Sequence, residues 1–171
     1  MKKLSVKKYA FFSAIILLGI GLDQLTKFLA VKFLKPVPTV PIIEDVIHLT
    51  YVENRGAAFG MLADSRWVFM LVSTVAIVGM LFFLYSGLAQ NTLYEVSLGM
   101  IISGGIGNMI DRTILGYVVD MIDFRLIDFA VFNGADSFVC VGAGLLMLAL
   151  ILDVIKESKT KKEKSNASDG K

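Results

Sequence analysis

The chain has 171 residues, of which 56% are hydrophobic and 19% charged, and its formal net charge is +2. Soluble domains carry about 25% charged residues, so this composition indicates a membrane protein and excludes a disordered chain, a coiled coil and a disulfide scaffold. The one cysteine, Cys140, cannot form an intrachain disulfide, and a single histidine, His48, excludes a multi-histidine metal site within one chain.

Lysine residues are concentrated at both ends of the chain. Residues 2–8 carry a charge of +4 and residues 156–171 carry +3, so the segment between them carries −5. The last segment, 156–171, lacks apolar side chains that could pack, and we expect it to be a basic, disordered tail. No aromatic residues are interleaved with these lysines, so we interpret them as contacts with anionic lipid headgroups and not with nucleic acid.

Four hydrophobic segments approach the length of about 20 residues that a membrane-spanning helix needs. They cover about residues 9–30, 67–88, 93–110 and 138–155. No small-residue cleavage site follows the first segment, which we therefore interpret as a retained helix and not as a signal peptide. The sequence thus predicts an all-α polytopic membrane protein with one membrane-embedded domain, residues 1–155.

The basic ends also predict the orientation of this domain. Lysine-rich flanks stay on the cytoplasmic side of a membrane, and an even number of spans places both termini on that side. The segments 35–66 and 111–137 are then extracytoplasmic.

The first span carries two charged residues, Asp23 and Lys27, which lie four residues apart on one helix face. They could form an internal ion pair that makes both charges tolerable in the membrane, or they could contact a substrate or a lipid headgroup. The spacing alone leaves both interpretations open.

The first outer segment predicts a small β element. Prolines at 36, 38 and 41 oppose a helix, and Ile47, Leu49 and Tyr51 then recur with the period of two that is typical of a strand. The small residues of Asn54–Gly60 favour a tight turn after it. We expect His48, on the more polar side of this strand, to be a surface residue.

The third span combines small residues with a polar end. Gly99, Ser103 and Gly107 recur at intervals of four, which is typical of close helix packing in membranes. At its end, Asn108 and Arg112 lie on one face with Asp111 between them. They form either a polar helix terminus or a set of groups that orient a nearby carboxylate.

The second outer segment holds the candidate catalytic groups. Asp120 and Asp123 both lie among apolar residues, where burial raises the pKa of a carboxyl group, and spacing alone does not choose between them. Asn133 and Asp136 fit a helix start, which favours an ionised carboxylate at Asp136. A protonated Asp120 and an ionised Asp136 would form an unequal pair that could share acid and base work around one water molecule.

Five polar islands occur in a fixed order along the chain. They are DQLTK at 23–27, NRGAAFG at 54–60, GGIGNMIDR at 104–112, GYVVDMIDF at 116–124 and FNGADS at 132–137. This set closely resembles the lipoprotein signal peptidases, also called signal peptidase II, which are bacterial membrane aspartic peptidases. The resemblance covers all four spans and both outer segments.

The resemblance implies a fold and a site. The fold is four transmembrane helices with an extracytoplasmic β-cradle and a short amphipathic helix. The catalytic pair falls on Asp120 and Asp136, which decides against Asp123. The surrounding substrate-binding or orienting residues are Asp23, Lys27, Asn54, Arg55, Asn108, Asp111, Arg112 and Asn133.

The resemblance also implies an activity and a location. The substrates are prolipoproteins that carry a diacylglyceryl-cysteine, and cleavage occurs just before that cysteine. No metal or organic cofactor is needed, and we expect a monomer in the bacterial cytoplasmic membrane with its active site near the extracytoplasmic face. Two alternatives are a magnesium-dependent headgroup phosphotransferase, which clustered aspartates would suit, and a transporter or channel, which Asp23 and Lys27 within a span would suit.

Overall fold

The computed structural model describes residues 5–56, 66–89 and 91–169. Its elements in chain order are α1 Val6–Phe33, β1 Val40–Ile43, β2 Ile47–Asn54, α2 Arg66–Tyr85, α3 Thr92–Ile114, β3 Val118–Phe124 and α4 Gly134–Asp169. A 3₁₀ turn, Arg125–Ile127, follows β3.

Within these described ranges, three helices are long and apolar enough to cross a membrane. They are Val6–Phe33, Thr92–Ile114 and Gly134–Lys161, whereas α2 contributes a shorter apolar stretch, Met70–Tyr85. The structure therefore supports three of the four predicted spans, and the fourth stays a prediction. The short amphipathic helix that the family resemblance implies also stays a prediction.

The central helix is α3, which contacts α1, α2 and α4. Small residues make this possible, because Gly99 lies against Ile15 of α1 and Gly142 of α4 lies against the Ser97 carbonyl. Phe12 and Ile102 are fully buried in the core that these helices enclose. The predicted packing role of the small residues in the third span is confirmed.

The strands form a small antiparallel sheet in the order β1-β2-β3. Leu49 and Tyr51 of β2 pack with Val119 and Met121 of β3 in an apolar cluster that includes Ala30 of α1. The predicted strand at 47–52 is confirmed, and this packing fixes the sheet to the C-terminal end of α1.

Three expectations about single segments need correction or lie outside the described residues. His48 is buried, not at the surface, because its side chain lies within the sheet region beside Thr39. The tail is not irregular, since α4 continues as a helix to Asp169. Residues 57–60 of the predicted tight turn, Asn54–Gly60, lie outside the described part of the chain.

Two contacts define the end of the helical bundle that carries the lysine-rich tails. Lys8 of α1 forms an ion pair with the buried Glu95 of α3. The hydroxyl of Tyr94 donates a hydrogen bond of 2.8 Å to Asp153 of α4. The sheet lies at the opposite end, beside the C-terminal parts of α1 and α3 and the start of α4.

Candidate active site

The predicted site residues come together at the sheet end of the bundle because two backbone pairings place their elements side by side. Val52 of β2 is paired with Asp120 of β3, which places the end of β2 beside that carboxylate. An isolated bridge pairs Ile122 with Phe132. This bridge brings Asn133 and the N-terminus of α4 beside β3.

Asp120 is almost completely buried, with 1% of its surface exposed. Its carboxylate accepts hydrogen bonds from the side-chain amides of Asn54, at 2.9 Å, and Asn133, at 2.6 Å. Burial raises the pKa of Asp120 to about 6, the Asn54 hydrogen bond opposes this shift, and the nearby Asp136 adds to it. This carboxyl group therefore keeps its proton at mildly acidic pH, up to a value near 6.

Asp136 lies in the first turn of α4 and is half-buried. Its Oδ1 accepts from Nδ2 of Asn108 at 2.8 Å, and its Oδ2 accepts from the backbone N–H of Asn133 at 3.3 Å. In return, Oδ1 of Asn133 accepts from the Asp136 backbone N–H at 3.0 Å. These reciprocal bonds form a cap at the helix start that the sequence predicted for Asn133 and Asp136.

Asn133 connects the two aspartates. Its Nδ2 donates to Asp120 at 2.6 Å and to Oδ1 of Asn108 at 3.1 Å, while its main chain and Oδ1 contact Asp136. The residue is fully buried. Its two amide protons and its carbonyl oxygen are thus all engaged within the site.

Lys27 lies buried beneath the aspartates. Its Nζ is 2.9 Å from Asp23 Oδ2, 3.0 Å from Asp111 Oδ2 and 2.8 Å from Asn108 Oδ1. The structure therefore favours the internal ion pair over a substrate or headgroup contact for Asp23 and Lys27.

The two arginines of the predicted site occupy different environments. Arg112 donates to the Gly56 carbonyl at 3.4 Å and interacts electrostatically with Asp136, Asp120 and Asp111. The side chain of Arg55 is 62% exposed and pairs with Glu53 at 3.3 Å. Its guanidinium also lies 5.4 Å from the centre of the Tyr117 ring, so these contacts place it at the rim of the site.

Asp123, the alternative that the spacing left open, lies outside this network. Its carboxylate accepts from Thr50 at 2.8 Å and from Arg125 at 3.1 Å. Burial alone would raise the pKa of Asp123, but these hydrogen bonds outweigh it and hold the pKa below its ordinary value. The geometry therefore agrees with the selection of Asp120.

Gln24 is a site residue that the sequence did not single out. Its side-chain amide donates to Asp23, to Asp111 and to the Gly107 carbonyl at 3.2, 3.0 and 3.2 Å. A polar residue next to Asp23 within an apolar span is the sequence feature that could have identified Gln24 as a site residue.

Among the described residues, no group of three His, Cys, Asp or Glu side chains is arranged to hold a metal ion. Asp23 and Asp111 come close together, but the ammonium group of Lys27 lies between them at 2.9 and 3.0 Å. The position that a cation would take between these carboxylates is thus filled by a side chain.

Comparison with known proteins identifies the family. The sequence profile of the family described as "Signal peptidase (SPase) II" matches residues 15–152. The lipoprotein signal peptidase of Caldanaerobacter subterraneus subsp. tengcongensis is 50% identical over 137 residues, which cover 80% of this chain and 93% of that protein. The lipoprotein signal peptidase of Clostridioides difficile is 48% identical over 137 residues, with 80% of this chain and 92% of that protein covered.

Solved structures support the same assignment. A bacterial membrane enzyme determined by the in meso method at 2.3 Å resolution superposes with a TM-score of 0.80 and 28% identity, over 90% of this chain and 93% of that one. A second, at 1.9 Å resolution, has a TM-score of 0.75 and 28% identity, over 87% and 96% of the two chains. From the site, the sequence relatives and the fold together, this chain belongs to the signal peptidase II family.

Proposed function

We propose that this member of the signal peptidase II family removes signal peptides from prolipoproteins by an aspartic mechanism, with Asp120 and Asp136 as the catalytic pair. The relatives that it matches are lipoprotein signal peptidases. The finer proposal is that the substrate carries a diacylglyceryl-cysteine and that cleavage occurs just before it. The enzyme would act as a monomer in the bacterial cytoplasmic membrane.

The main observation in support of the aspartic mechanism is that Asn133 joins the carboxyl groups of Asp120 and Asp136, which lie in different environments. Asp120 is buried and its pKa is raised to about 6, whereas Asp136 is half-buried in the first turn of α4, at the positive end of the helix dipole. Two carboxyl groups that share a network but differ in environment take separate acid and base roles.

The chemistry follows from these roles. Asp136 takes a proton from a water molecule as that water attacks the scissile carbonyl carbon, forming the new C–O bond. The protonated Asp120 donates a hydrogen bond to the carbonyl oxygen and stabilises the charge that develops there. When the C–N bond breaks, the proton that was held by Asp136 passes to the leaving amine, which restores the starting state of the pair.

The position of the pair in the bundle supports a substrate that approaches from the membrane. The site lies at the end opposite the Lys8–Glu95 pair, beside the sheet, where a transmembrane signal peptide would emerge from lipid. A lipid-modified cysteine held at that boundary would keep the scissile bond in place, and such orientation is a large part of catalysis.

The test is cleavage of a purified diacylglyceryl-modified prolipoprotein by the purified enzyme. We expect the new N-terminus to be the lipidated cysteine, and we expect EDTA to leave the rate unchanged. A new N-terminus at another residue would contradict the proposed specificity. Loss of activity in EDTA, with recovery on adding Mg²⁺, would favour the metal-dependent alternative.

The same assay tests the catalytic pair. Asp120→Asn and Asp136→Asn should each abolish cleavage, because an amide cannot exchange the required proton. The double variant should be hardly slower than either single one, since residues that act as a unit are not additive. Asp123→Asn is the matched control and should keep substantial activity, because its partners are Thr50 and Arg125. Full activity in either single variant of the pair would end the aspartic proposal.

A further inference from the structure

We infer that Lys27, Asp23 and Asp111 form a positioning device that holds the two backbone segments bearing the catalytic pair, an inference that rests on the function proposed above. These three residues are called here the lysine hub: Asp111 and Asp23 each bind the backbone directly before one catalytic aspartate, and Lys27 joins the two carboxylates. Their role is to fix the two aspartates relative to each other, and not to bind substrate.

The hub contacts the two segments in the same way. Oδ2 of Asp111 accepts from the backbone N–H of Val119 at 3.0 Å, and Val119 directly precedes Asp120. Oδ1 of Asp23 accepts from the backbone N–H of Ala135 at 2.9 Å, and Ala135 directly precedes Asp136. Each catalytic aspartate is thus one residue away from a buried carboxylate that holds its main chain.

Both backbone N–H groups need such a partner. Val119 belongs to β3, which lies at the edge of the sheet, so an N–H that faces away from β2 has no strand to pair with. Ala135 lies in the first turn of α4, where N–H groups have no acceptor within the helix. Leaving such a group buried and unpaired is unfavourable, so the two carboxylates stabilise these segments where they are.

Lys27 joins the two contacts. Its three ammonium protons match three acceptors, which are Asp23, Asp111 and Asn108 at 2.9, 3.0 and 2.8 Å. Asn108 in turn presents its Nδ2 to Asp136. Gln24 also bridges the hub carboxylates, at 3.2 Å to Asp23 and 3.0 Å to Asp111.

Burial and packing argue against direct substrate contact by the hub. Asp23, Lys27 and Asp111 are 1%, 3% and 3% exposed. A Cβ atom at Gly107 would collide with the Asp23 carboxylate, so glycine at this position allows the close approach of α1 to α3. The ammonium group of Lys27 is enclosed and all of its donors are engaged. It can therefore act on the reaction through the residues that it holds and not by binding substrate.

Two substitutions of Lys27 separate its charge from its geometry. Lys27→Met should lower kcat by about 10–100-fold, a typical loss for an outer-shell partner, with KM nearly unchanged. It should also move the alkaline limb of kcat/KM to higher pH, because the Lys27 charge lowers the pKa of Asp120. Lys27→Arg should lower kcat without moving that limb, since arginine keeps the charge but its planar fork does not fit three converging acceptors.

Lys32→Met is the matched control, because Lys32 is an exposed lysine on the same helix that lies over the Phe33 ring. It should leave kcat and the pH profile unchanged. The Asp136 and Arg112 charges also act on Asp120, and they are the same in all three variants. Wild-type kcat in Lys27→Met, or a pH limb that stays in place, would overturn the inference.

Amide hydrogen exchange gives a readout that does not depend on activity. Asp111→Ala should speed exchange in peptides that cover Val119, and Asp23→Ala should speed exchange in peptides that cover Ala135, each with a smaller effect on the other segment. Equal effects on both segments, or none, would contradict separate anchoring. If the hub variants behave as wild type while Asp120→Asn is inactive, the hub inference is contradicted and the proposed function is not. If Asp120→Asn cleaves normally, the proposed function is contradicted.

Discussion

Three aspartates near the sheet show how environment decides the role of one residue type. Asp120 is buried beside two side-chain amides, Asp136 accepts from the backbone N–H of Asn133 at a helix start, and Asp123 accepts from a hydroxyl and an arginine. The pKa of Asp120 is raised and that of Asp123 is lowered. In the part of the chain that the structure describes, Asp120 and Asp136 share a hydrogen-bond network through Asn133, and Asp123 lies outside it.

The raised pKa of Asp120 predicts a pH dependence of activity. The proposed reaction needs one proton on the pair, so kcat/KM should fall when the pH rises above the value near 6 at which Asp120 releases its proton. It should also fall at low pH, when the pair gains a second proton. Initial rates with purified enzyme would give this bell-shaped profile, whose apparent pKa values belong to the pair and not to one residue.

The same group should leave a signature in stability. The unfolded chain releases the Asp120 proton near its ordinary pKa of 3.8, whereas the folded protein keeps it to about 6. The folded state therefore binds more protons between these values, and the contribution of Asp120 to the free energy of unfolding decreases as pH rises through this window. Thermal unfolding in detergent should show the decrease in wild type and lose it in Asp120→Asn. A slope that Asp120→Asn leaves unchanged would assign the effect to another group.

The sequence located the polar residues of the site but not their partners. The family resemblance selected Asn54, whereas Asn108 was singled out by its spacing to Arg112 and Asn133 by its place at a helix start. Gln24 was passed over, although it contacts both carboxylates of the hub. The backbone acceptors and donors could not be predicted, because the N–H groups of Val119 and Ala135 find partners 8 and 112 residues away in the chain.

At the scale of elements, close helix approach positions the site. A Cβ atom at Gly104 of α3 would collide with the backbone carbonyl of Ala135, at the start of α4. At Gly144 of α4, a Cβ atom would meet nothing within 4 Å. The two glycines therefore differ in what surrounds them, although both lie in apolar helices.

This difference predicts opposite effects of the same substitution. Gly104→Ala should lower both the thermal stability and the activity, because a backbone carbonyl cannot move aside without displacing the helix start that carries Asp136. Gly144→Ala should be neutral or stabilise the protein by up to about 1 kcal/mol, since alanine is the better helix former. Thermal unfolding and cleavage rates of both variants would check this. Equal behaviour of the two would show that α3 and α4 do not need this contact.

The elements themselves were predictable to different degrees. The strand β2 was visible in the alternation of Ile47, Leu49 and Tyr51. The strand β3 was not, because Val118–Phe124 shows no clear period of two and its position depends on pairing with β2 and with Phe132. The continuation of α4 through the basic tail was also missed, since composition predicts packing better than it predicts the local backbone of an exposed segment.

At the scale of the whole molecule, the charge distribution and the site geometry favour one orientation. The lysine-rich ends flank the end of the bundle marked by Lys8 and Glu95, and the sheet and the candidate active site lie at the other end. Lysine-rich flanks remain cytoplasmic, so the active site would face the extracytoplasmic side. Both α1 and α3 begin at the end of the bundle that carries the Lys8–Glu95 pair. The chain must therefore return to that end between them, which requires that α2 crosses the membrane as the fourth span.

Cysteine labelling in intact cells tests this orientation. Cys140 is the one native cysteine and is exposed on α4, so the background is Cys140→Ser. Glu44→Cys, in the exposed turn between β1 and β2, should react with a membrane-impermeant maleimide added from outside, whereas Ser158→Cys, on the exposed tail end of α4, should react only after permeabilisation. Both positions are solvent-accessible, so a difference in labelling reports the side of the membrane and not burial. The reverse pattern would invert the topology, and external labelling at both positions would show that α2 does not span.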